Sequence, residues 1–333
     1  MNDWYLGIDL GGSNISAALM DSHGRMRQLK KIKTLAHEGK AQVISRLVEL
    51  ARAVPQEANL KTQNLRAIGL GVPGIIDVPN GVVLYSPNLP GWTRVPIRRA
   101  LQTALKKPIM IDNDANVAAY GEKWLGAGRE VENLVVYTLG TGVGGGIIVE
   151  GNIFHGHNHA AGELGHVTIL PDGPRCACGN HGCVEALVSG TAIARVAREA
   201  LKKSSDSLIY ELCGRIPDDV TAKHVFQAAR KGDALANKIV TQTGQYLGIA
   251  VANTINLLNP ELVIIGGGVS GAGELLLRPV RAEVKKRALK DSLAATKIVV
   301  AQLGDQAGVI GAAGIAMLAK LSRNSNPKRR RTA

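Results

Sequence analysis

Short apolar runs broken by turn residues occupy the first part of the chain. The runs at 5–9, 15–20 and 26–34 are separated by Gly11-Gly12 and by a turn at 21–24. Runs of this length between such turn residues predict a meander of three strands.

The strand, glycine turn and strand of residues 5–20 recur at 134–150, which suggests two related halves. Elsewhere, hydrophobic periodicity predicts strands that alternate with helices, and this alternation indicates an α/β fold. The remaining predicted strands are 65–72, 108–112, 262–265 and 298–303. The predicted helices are 43–54, closed by Pro55, then 96–105, 115–125, 233–258, 274–289 and 306–321.

Composition adds that the chain is an ordinary globular protein without a membrane span. Of its 333 residues, 45% are hydrophobic and 20% charged, and this length predicts two domains. We find no apolar run of 18 residues and no secretory leader at the start, so we expect a cytoplasmic protein. Three of the four cysteines lie within eight positions, which favours a metal site over a disulfide framework.

The formal net charge is +13, and five of these charges lie in the last eleven residues. A basic balance suits an anionic partner such as a nucleotide, a polyphosphate or nucleic acid, although a solvated tail explains part of it. The segment 324–333 has no periodicity, and we expect it to be disordered.

Three glycine-rich turns follow predicted strands, and each has bare backbone that an anion could approach. The first includes Asp9, Gly11, Gly12, Ser13 and Asn14; the second runs from Gly140 through Thr141 and Gly142 to Gly146; the third contains Gly267 and Gly268. None has the spacing of a P-loop or a dinucleotide-binding fingerprint. A hairpin, or for the third turn a close crossing of strand and helix, is the alternative explanation for each turn taken alone.

Carboxylates and amides cluster at the end of the strand 108–112. In Asp112-Asn113-Asp114, an acid could accept the proton of an attacking hydroxyl, or it could simply cap the following helix. Glu163 and Glu185 add carboxylates that suit recognition of neighbouring sugar hydroxyls.

Cys176, Cys178 and Cys183 supply three thiolates on one short loop, and Zn²⁺ requires a fourth ligand. Spacing alone leaves His166 and His181 as alternatives. Four protein ligands would make the zinc structural. Cys213 lies outside the cluster and is expected to be buried. The alternating His155, His157 and His159 could bind metal, but an exposed mobile loop is the favoured interpretation.

The three glycine turns, in this order, resemble the phosphate-one, phosphate-two and adenosine motifs of the actin-like ATPase and sugar-kinase fold. Gly165-His166, followed by Cys176-x-Cys178-Gly179-x-x-Gly182-Cys183-x-Glu185, matches the signature of the ROK family (repressor, open reading frame, kinase). The resemblance runs from about Gly7 to Met317. It is strongest to the ATP-dependent glucokinases and N-acetylhexosamine kinases of the family.

This resemblance implies two RNase-H-like lobes with ATP and a sugar in the cleft between them, and it gives individual residues roles. Asp114 is the base, and His166 completes the zinc site. Asp9 holds Mg²⁺ through water. The sugar-side residues are Gly74, Asn88, Asn113, Asp114, Glu163, His166 and Glu185. The nucleotide-side residues are Asp9, Gly11, Gly12, Ser13, Asn14, Thr141, Gly142, Gly267 and Gly268. Trp92, close to Asn88, is expected in the core.

The sequence therefore predicts a hexose kinase that uses ATP, Mg²⁺ and a structural Zn²⁺ and phosphorylates the 6-hydroxyl of glucose. We expect a homodimer or homotetramer that binds no membrane and no specific nucleic acid. The expected lobes are 1–117, completed by 305–321, and 118–304, followed by a basic tail at 322–333.

Several alternatives stay open. N-acetylglucosamine, N-acetylmannosamine and fructose are other possible acceptors, and polyphosphate is another donor. A sugar-responsive repressor of the same family is the alternative of another class. The first glycine turn at residue 11 leaves no room for a DNA-binding segment before it, which argues against the repressor. Asn14 stands where the family frequently has lysine, so donor affinity is in question.

Overall fold

The computed structural model describes residues 3–324, and these form two compact units. Unit 1 takes in the chain up to Arg129, the segment Asn152–Ala161 and the chain from Asp305; unit 2 consists of Glu130–Gly151 and Gly162–Gly304. Each unit is built around its own sheet. Of the tail predicted at 322–333, residues 325–333 lie outside the described residues, whereas 322–324 belong to the last helix.

The strands are β1 (Trp4–Leu10), β2 (Asn14–Asp21), β3 (Met26–Lys33), β4 (Leu65–Val72), β5 (Ile75–Asp77), β6 (Val82–Tyr85), β7 (Thr93–Val95), β8 (Ile109–Asn113), β9 (Leu134–Leu139), β10 (Val143–Val149), β11 (Asn152–Ile153), β12 (Leu262–Gly266) and β13 (Lys297–Val300). The helices are α1 (Lys40–Glu57), α2 (Ile97–Leu105), α3 (Asp114–Leu125), α4 (Val184–Val188), α5 (Gly190–Leu201), α6 (Leu208–Leu212), α7 (Ala222–Arg230), α8 (Ala234–Leu258), α9 (Glu274–Arg287), α10 (Lys290–Ala295) and α11 (Ala307–Asn324).

The main sheet of unit 1 has the order β3-β2-β1-β4-β8, and the small sheet β5-β6-β7 lies in the same unit. The hairpin β1–β2 and its neighbour β3 are antiparallel, whereas β4 and β8 continue parallel to β1. The carboxyl ends of β1, β4 and β8 therefore share one edge of the sheet, and Asp9 and Asn113 lie at that edge.

In unit 2 the strands β10, β9, β12 and β13 lie side by side in that order. The hairpin β9–β10 is antiparallel, and β12 and β13 run parallel to β9. This is the arrangement of β2-β1-β4-β8 in unit 1. The pattern that recurs in the sequence thus corresponds to one hairpin in each of two similarly ordered sheets.

Helix α11 packs directly on the sheet of unit 1 because two strand glycines remove the side chains between them. A Cβ at Gly7 would overlap the carbonyl oxygen of Val309, and a Cβ at Gly69 would overlap that of Ala312. On the opposite face of the sheet, aliphatic residues of β1 and β2 pack with α1 in one core that also contains Trp92, as expected for this tryptophan.

The end of α1 and the boundary between the units differ from those expected. Helix α1 does not end at Pro55 but continues to Glu57. Pro55 is buried inside the helix, and Ala58 still donates to the carbonyl of Val54, so the last turn persists without the proline N–H. The expected lobe boundary at 117/118 falls inside α3, whereas unit 1 runs on to Arg129 and also takes in Asn152–Ala161.

Within the described range 3–324, the structure contains no helix that combines the length and the apolar character needed to cross a bilayer.

Candidate active site

The first glycine turn joins β1 to β2 and is held by backbone bonds. Gly11 donates to the carbonyl of Asn14 at 2.9 Å, and Thr34 donates from its hydroxyl to the carbonyl of Gly11 at 2.6 Å. A Cβ at Gly12 would lie 3.1 Å from the carbonyl oxygen of Asn88. The structure therefore brings Asn88, expected on the sugar side, against the turn expected to hold phosphate.

Asp9 lies near the carboxyl end of β1, beside the first turn of α11. Gly308 provides the space, because a Cβ there would lie 2.6 Å from Oδ2 of Asp9. Burial and, to a lesser extent, the Asp114 carboxylate raise the pKa of Asp9 to about 7, although Lys31 acts in the opposite direction. Asp9 and Asp114 are thus close enough for their charges to interact, and a cation here would relieve their repulsion.

Asn113, rather than either neighbouring aspartate, is the N-cap of α3. Its Oδ1 accepts from the backbone N–H groups of Ala115 at 2.9 Å and Asn116 at 3.2 Å, and its Nδ2 donates to the carbonyl of Gly74 at 3.0 Å. Asp114 is the first residue of the helix, where the positive end of the helix dipole favours a carboxylate. The cap therefore fixes the start of α3 and, with it, the position of the Asp114 backbone.

Asp112 is buried and bonded to a histidine that was expected in an exposed loop. His155 Nε2 lies 2.6 Å from Asp112 Oδ2. The hydrogen bond to Asp112 raises the pKa of His155, although burial acts against it. Of the three alternating histidines, only the exposed His157 has the expected solvent exposure. The His159 ring lies beside the His155 ring, with the centroids 5.5 Å apart and the planes tilted by 60°.

The second glycine turn joins β9 to β10 in unit 2 and is tied to the start of α5. Gly140 donates to the carbonyl of Gly142 at 2.9 Å, and Gly190 donates to the carbonyl of Gly140 at 2.8 Å. The Thr191 hydroxyl donates to the carbonyl of Thr141 at 2.8 Å. These bonds use carbonyl groups of the turn as acceptors.

Glu185 connects this turn to the cysteine loop. Its Oε2 accepts from the backbone N–H of Val143 at 2.9 Å, and its Oε1 lies 3.7 Å from Cys176 Sγ. A Cβ at Gly142 would overlap the same carboxylate. Glu185 can approach the turn this closely only because residue 142 is a glycine. Glu185, expected to bind the sugar, therefore lies against Gly142, expected to bind the nucleotide.

His166 and the three clustered cysteines converge on one point. The ligand atoms of His166, Cys176, Cys178 and Cys183 all lie within 4.8 Å of one another. Cys176 Sγ is 3.7 Å from His166 Nδ1, and Cys178 Sγ is 3.7 Å from Cys183 Sγ. Zinc–sulfur bonds of about 2.3 Å in a tetrahedron require sulfur atoms roughly 3.8 Å apart, so the donor set fits Zn²⁺. His181 does not belong to this group.

With Nδ1 directed to the cysteines, the other ring nitrogen of His166 remains available. His166 Nε2 lies 3.9 Å from Glu163 Oε2. Burial raises the pKa of the Cys176 thiol to about 12, so a bound cation is what would favour its thiolate. Cys213 is buried elsewhere in the unit 2 core, as expected.

The third glycine turn follows β12. Gly267 has φ +79°, and a Cβ on it would overlap the backbone of Leu139, so this glycine is required by packing within the protein. At Gly268, by contrast, a Cβ would have nothing within 4 Å. The backbone of Gly268 is therefore open to a ligand, whereas the packing against Leu139 already explains why residue 267 is a glycine.

Three residues near these groups were absent from the sequence prediction: Lys31, Gly308 and, as a partner of Asp112, His155. Lys31 could have been found, because pairing of Asp9 with Ser16 and of Ser16 with Lys31 puts all three on one sheet face. The approach of Gly308 to Asp9 and the bond from His155 to Asp112 leave no local signal in the sequence.

Comparison with known proteins finds one family model and several relatives that match most of the chain. The model of the ROK family matches residues 5–319. The glucokinase of Thermotoga maritima is 42% identical over 312 residues, which are 93% of this chain and 96% of that protein. The xylose repressor of Caldicellulosiruptor bescii is 35% identical over 92% of this chain and 76% of its own length.

Among solved structures, a ROK family glucokinase from Streptomyces griseus, in complex with glucose and AMPPNP, has a TM-score of 0.83 and 31% sequence identity. The match covers 95% of this chain and 99% of that chain. This similarity confirms the predicted α/β fold of the actin-like ATPase type.

Proposed function

The chain belongs to the ROK family, and we propose that it is an ATP-dependent glucokinase that transfers the γ-phosphoryl group to the 6-hydroxyl of glucose. It is a sugar kinase, a phosphotransferase with an alcohol as acceptor. The observation that carries the proposal is the paired carboxylates of unit 1. Asp114 stands at the capped start of α3 and acts electrostatically on Asp9.

Asp114 is the proposed base. A carboxylate in hydrogen-bonding reach of the 6-hydroxyl orients it and accepts its proton as the oxygen attacks the phosphorus. The cap provided by Asn113 and the bond from Asn113 to Gly74 support this role, because they hold the helix start on which Asp114 stands.

The donor is MgATP, and its phosphates are proposed to bind the two hairpin turns. Gly11, Gly12, Ser13 and Asn14 would contribute backbone and side-chain donors from unit 1, and Thr141 and Gly142 would do so from unit 2. Donors fixed before the reaction stabilise charge on the transferring group without reorganising. An oxygen ligand at Asp9 suits Mg²⁺, whose chemistry is to neutralise phosphate charge. The adenosine would lie at Gly267 and Gly268.

Lys31 is proposed to supply positive charge that Asn14 does not. The cross-strand pairs Asp9–Ser16 and Ser16–Lys31 put Lys31 two strands from Asp9 on the same face of the sheet. Strands lie about 4.8 Å apart, so the ammonium group at the end of its flexible stem can reach phosphates held beside Asp9.

The sugar is proposed to bind Asn88, Asn113, Glu163, His166 and Glu185, with Gly74 in the wall of the pocket. A zinc ion held by His166, Cys176, Cys178 and Cys183 would be structural, because four protein ligands leave no position for water. Its contribution would be to fix the His166 ring through Nδ1, leaving Nε2 for a sugar hydroxyl. The bond from Val143 to Glu185 supports a common anchoring of sugar and donor contacts.

The test is glucose-dependent formation of ADP and of glucose 6-phosphate, with wild type and Asp114→Asn. Glucose 6-phosphate is detected by its specific dehydrogenase, and 6-deoxyglucose serves as the acceptor control. We expect Asp114→Asn to lower kcat by about 10²- to 10⁴-fold. Wild-type activity in Asp114→Asn would contradict the assignment of Asp114 as the base. Equal ADP formation with glucose and with 6-deoxyglucose would contradict the assignment of the 6-hydroxyl as the acceptor.

A panel of glucose, N-acetylglucosamine, N-acetylmannosamine, mannose and fructose, with ATP and polyphosphate as donors, ranks the alternative substrates by kcat/KM.

We propose that the enzyme feeds glycolysis in the cytoplasm, where reduced cysteines are stable. Light scattering on the purified protein tests the expected homodimer or homotetramer. The similarity to a xylose repressor makes a gel-shift assay worthwhile, and sequence-specific DNA binding would favour the repressor alternative.

A further inference from the structure

The carboxylate of Asp112 is buried, and both of its oxygens have polar partners. Its side chain is only 5% exposed. Oδ1 accepts from the backbone N–H of Asn113 at 2.8 Å and from Nδ2 of Asn116 at 3.0 Å, while Oδ2 lies 2.6 Å from Nε2 of His155. A buried carboxylate is costly unless a cation or several donors compensate it, and here His155 is the ionisable partner.

The bonds of Asp112 lead directly to the start of α3. Asn113 is the cap of that helix, Asp114 is its first residue, and Asn116 lies in its first turn. Asp112 therefore bonds to the residue directly before Asp114 and to the residue two positions after it. A change in the orientation of the Asp112 carboxylate would be transmitted to the backbone that carries Asp114.

His155 comes from a separate piece of unit 1. It lies in Asn152–Ala161, a segment that belongs to unit 1 although the chain on both sides belongs to unit 2. Its side chain is 25% exposed, and the ring of His159 lies beside it. The segment thus supplies the Asp112 carboxylate with a ring nitrogen at hydrogen-bonding distance and with a side chain that can carry a positive charge.

We propose that His155 is a positioning residue for Asp114: its imidazolium holds the Asp112 carboxylate in one orientation and balances its charge, so that the first turn of α3 keeps the base aligned with the acceptor hydroxyl. This inference rests on the proposed function. Without His155, the buried Asp112 would either turn towards solvent or leave an unbalanced negative charge two residues from the base.

The expected effect is on the chemical step. A misplacement of about 1 Å in a reacting group can cost on the order of 10²-fold in rate. We therefore expect His155→Leu to lower kcat by about 10- to 100-fold, with the KM for glucose and the Kd for glucose changed by less than about three-fold. His155→Gln retains a hydrogen-bond donor without the charge and should recover part of the lost kcat.

The experiment compares His155→Leu, His155→Gln, Asp112→Asn and the double variant His155→Leu/Asp112→Asn with wild type. The exposed His157 of the same loop gives the matched control His157→Leu, which should behave as wild type. The measurements are kcat and KM for glucose, the Kd for glucose by calorimetry, and the thermal midpoint. In the double variant no buried charge is left unpaired, so its kcat should exceed that of His155→Leu.

The outcomes separate this inference from the proposed function. If Asp114→Asn is inactive while His155→Leu and His155→Gln keep wild-type kcat, the inference is wrong and the base assignment stands. The inference is also wrong if the losses of kcat in His155→Leu and Asp112→Asn simply add in the double variant. It is equally wrong if kcat falls only together with a matching loss of glucose binding, because His155 would then have a general structural role. If Asp114→Asn is fully active, the proposed mechanism itself fails. Should His155→Leu not fold, His155→Gln decides the question.

Discussion

Gly308 is the residue through which the first turn of α11 approaches the Asp9 carboxylate. In Gly308→Ala, the new Cβ would lie 2.6 Å from Oδ2 and 2.8 Å from Cγ of Asp9, whereas ordinary van der Waals contact begins at 3.4 Å. The carboxylate must therefore move by about 0.8 Å. Asp9 also interacts with the charge of Asp114, so the displacement acts on both proposed catalytic carboxylates.

A shift of this size in a group that positions MgATP is expected to lower kcat/KM for ATP by up to about 100-fold, which corresponds to roughly 2.7 kcal/mol of transition-state stabilisation. Stability should respond differently. Alanine is favoured over glycine in a helix by up to about 1 kcal/mol, and the clash involves a movable side chain rather than backbone. We therefore expect the thermal midpoint of Gly308→Ala to stay within a few degrees of wild type.

The assay is kcat/KM for ATP at saturating glucose, combined with thermal melting, on three variants with the same substitution. Gly271→Ala is the neutral control, because a Cβ there has nothing within 4 Å. Gly311→Ala, one helical turn beyond Gly308, should instead lower the thermal midpoint, since its Cβ would overlap the backbone of Val117 in α3. Wild-type kcat/KM in Gly308→Ala would refute the argument that this close approach positions Asp9.

Three further predictions concern other parts of the chain. Cys178→Ser should lose bound zinc, measured by elemental analysis, and should have a KM for glucose that rises more than its KM for ATP. Cys213→Ser is the control, and a zinc-free Cys178→Ser with the wild-type KM for glucose would contradict this prediction. Lys31→Met should raise the KM for ATP about five-fold, whereas Lys30→Met, on the opposite face and paired with Glu57, should not; equal effects would exclude the proposed phosphate contact. Hydrogen bonds from Lys286 and then Arg287 lower the pKa of Glu283, so its stabilising effect is present above its unfolded pKa of 4.5 and is lost as the pH falls through the lower folded value. Glu283→Gln should therefore melt below wild type at pH 7 and approach it as the pH falls below 4.5, and a deficit that persists in acid would contradict the charge argument.

The proposed active-site residues differ in how far the sequence could predict their surroundings. The second glycine turn stood out from its residues alone, because five glycines and a threonine in one short segment are costly inside a sheet without a reason. The first and third turns gained their predicted roles only from the family resemblance. Chemistry and spacing identified the cysteine loop but left His166 and His181 as alternatives. Only folding brings Nδ1 of His166 to the sulfur atoms, since this residue lies ten positions before Cys176 and reaches the cluster through the turn at Leu164–His166.

What the sequence determined by itself is the local structure. Helix α8 follows its periodicity from the N-cap Asp233 to Leu258, and the repeated strand–turn–strand segments become hairpins, because burial of one face and turn chemistry act over a few residues. The contacts between distant segments were decided by the tertiary structure. The approach of Gly308 to Asp9, the persistence of α1 beyond Pro55 and the bond from His155 to Asp112 depend on which surfaces pack together, and packing joins residues whose separation along the chain carries no periodic signal.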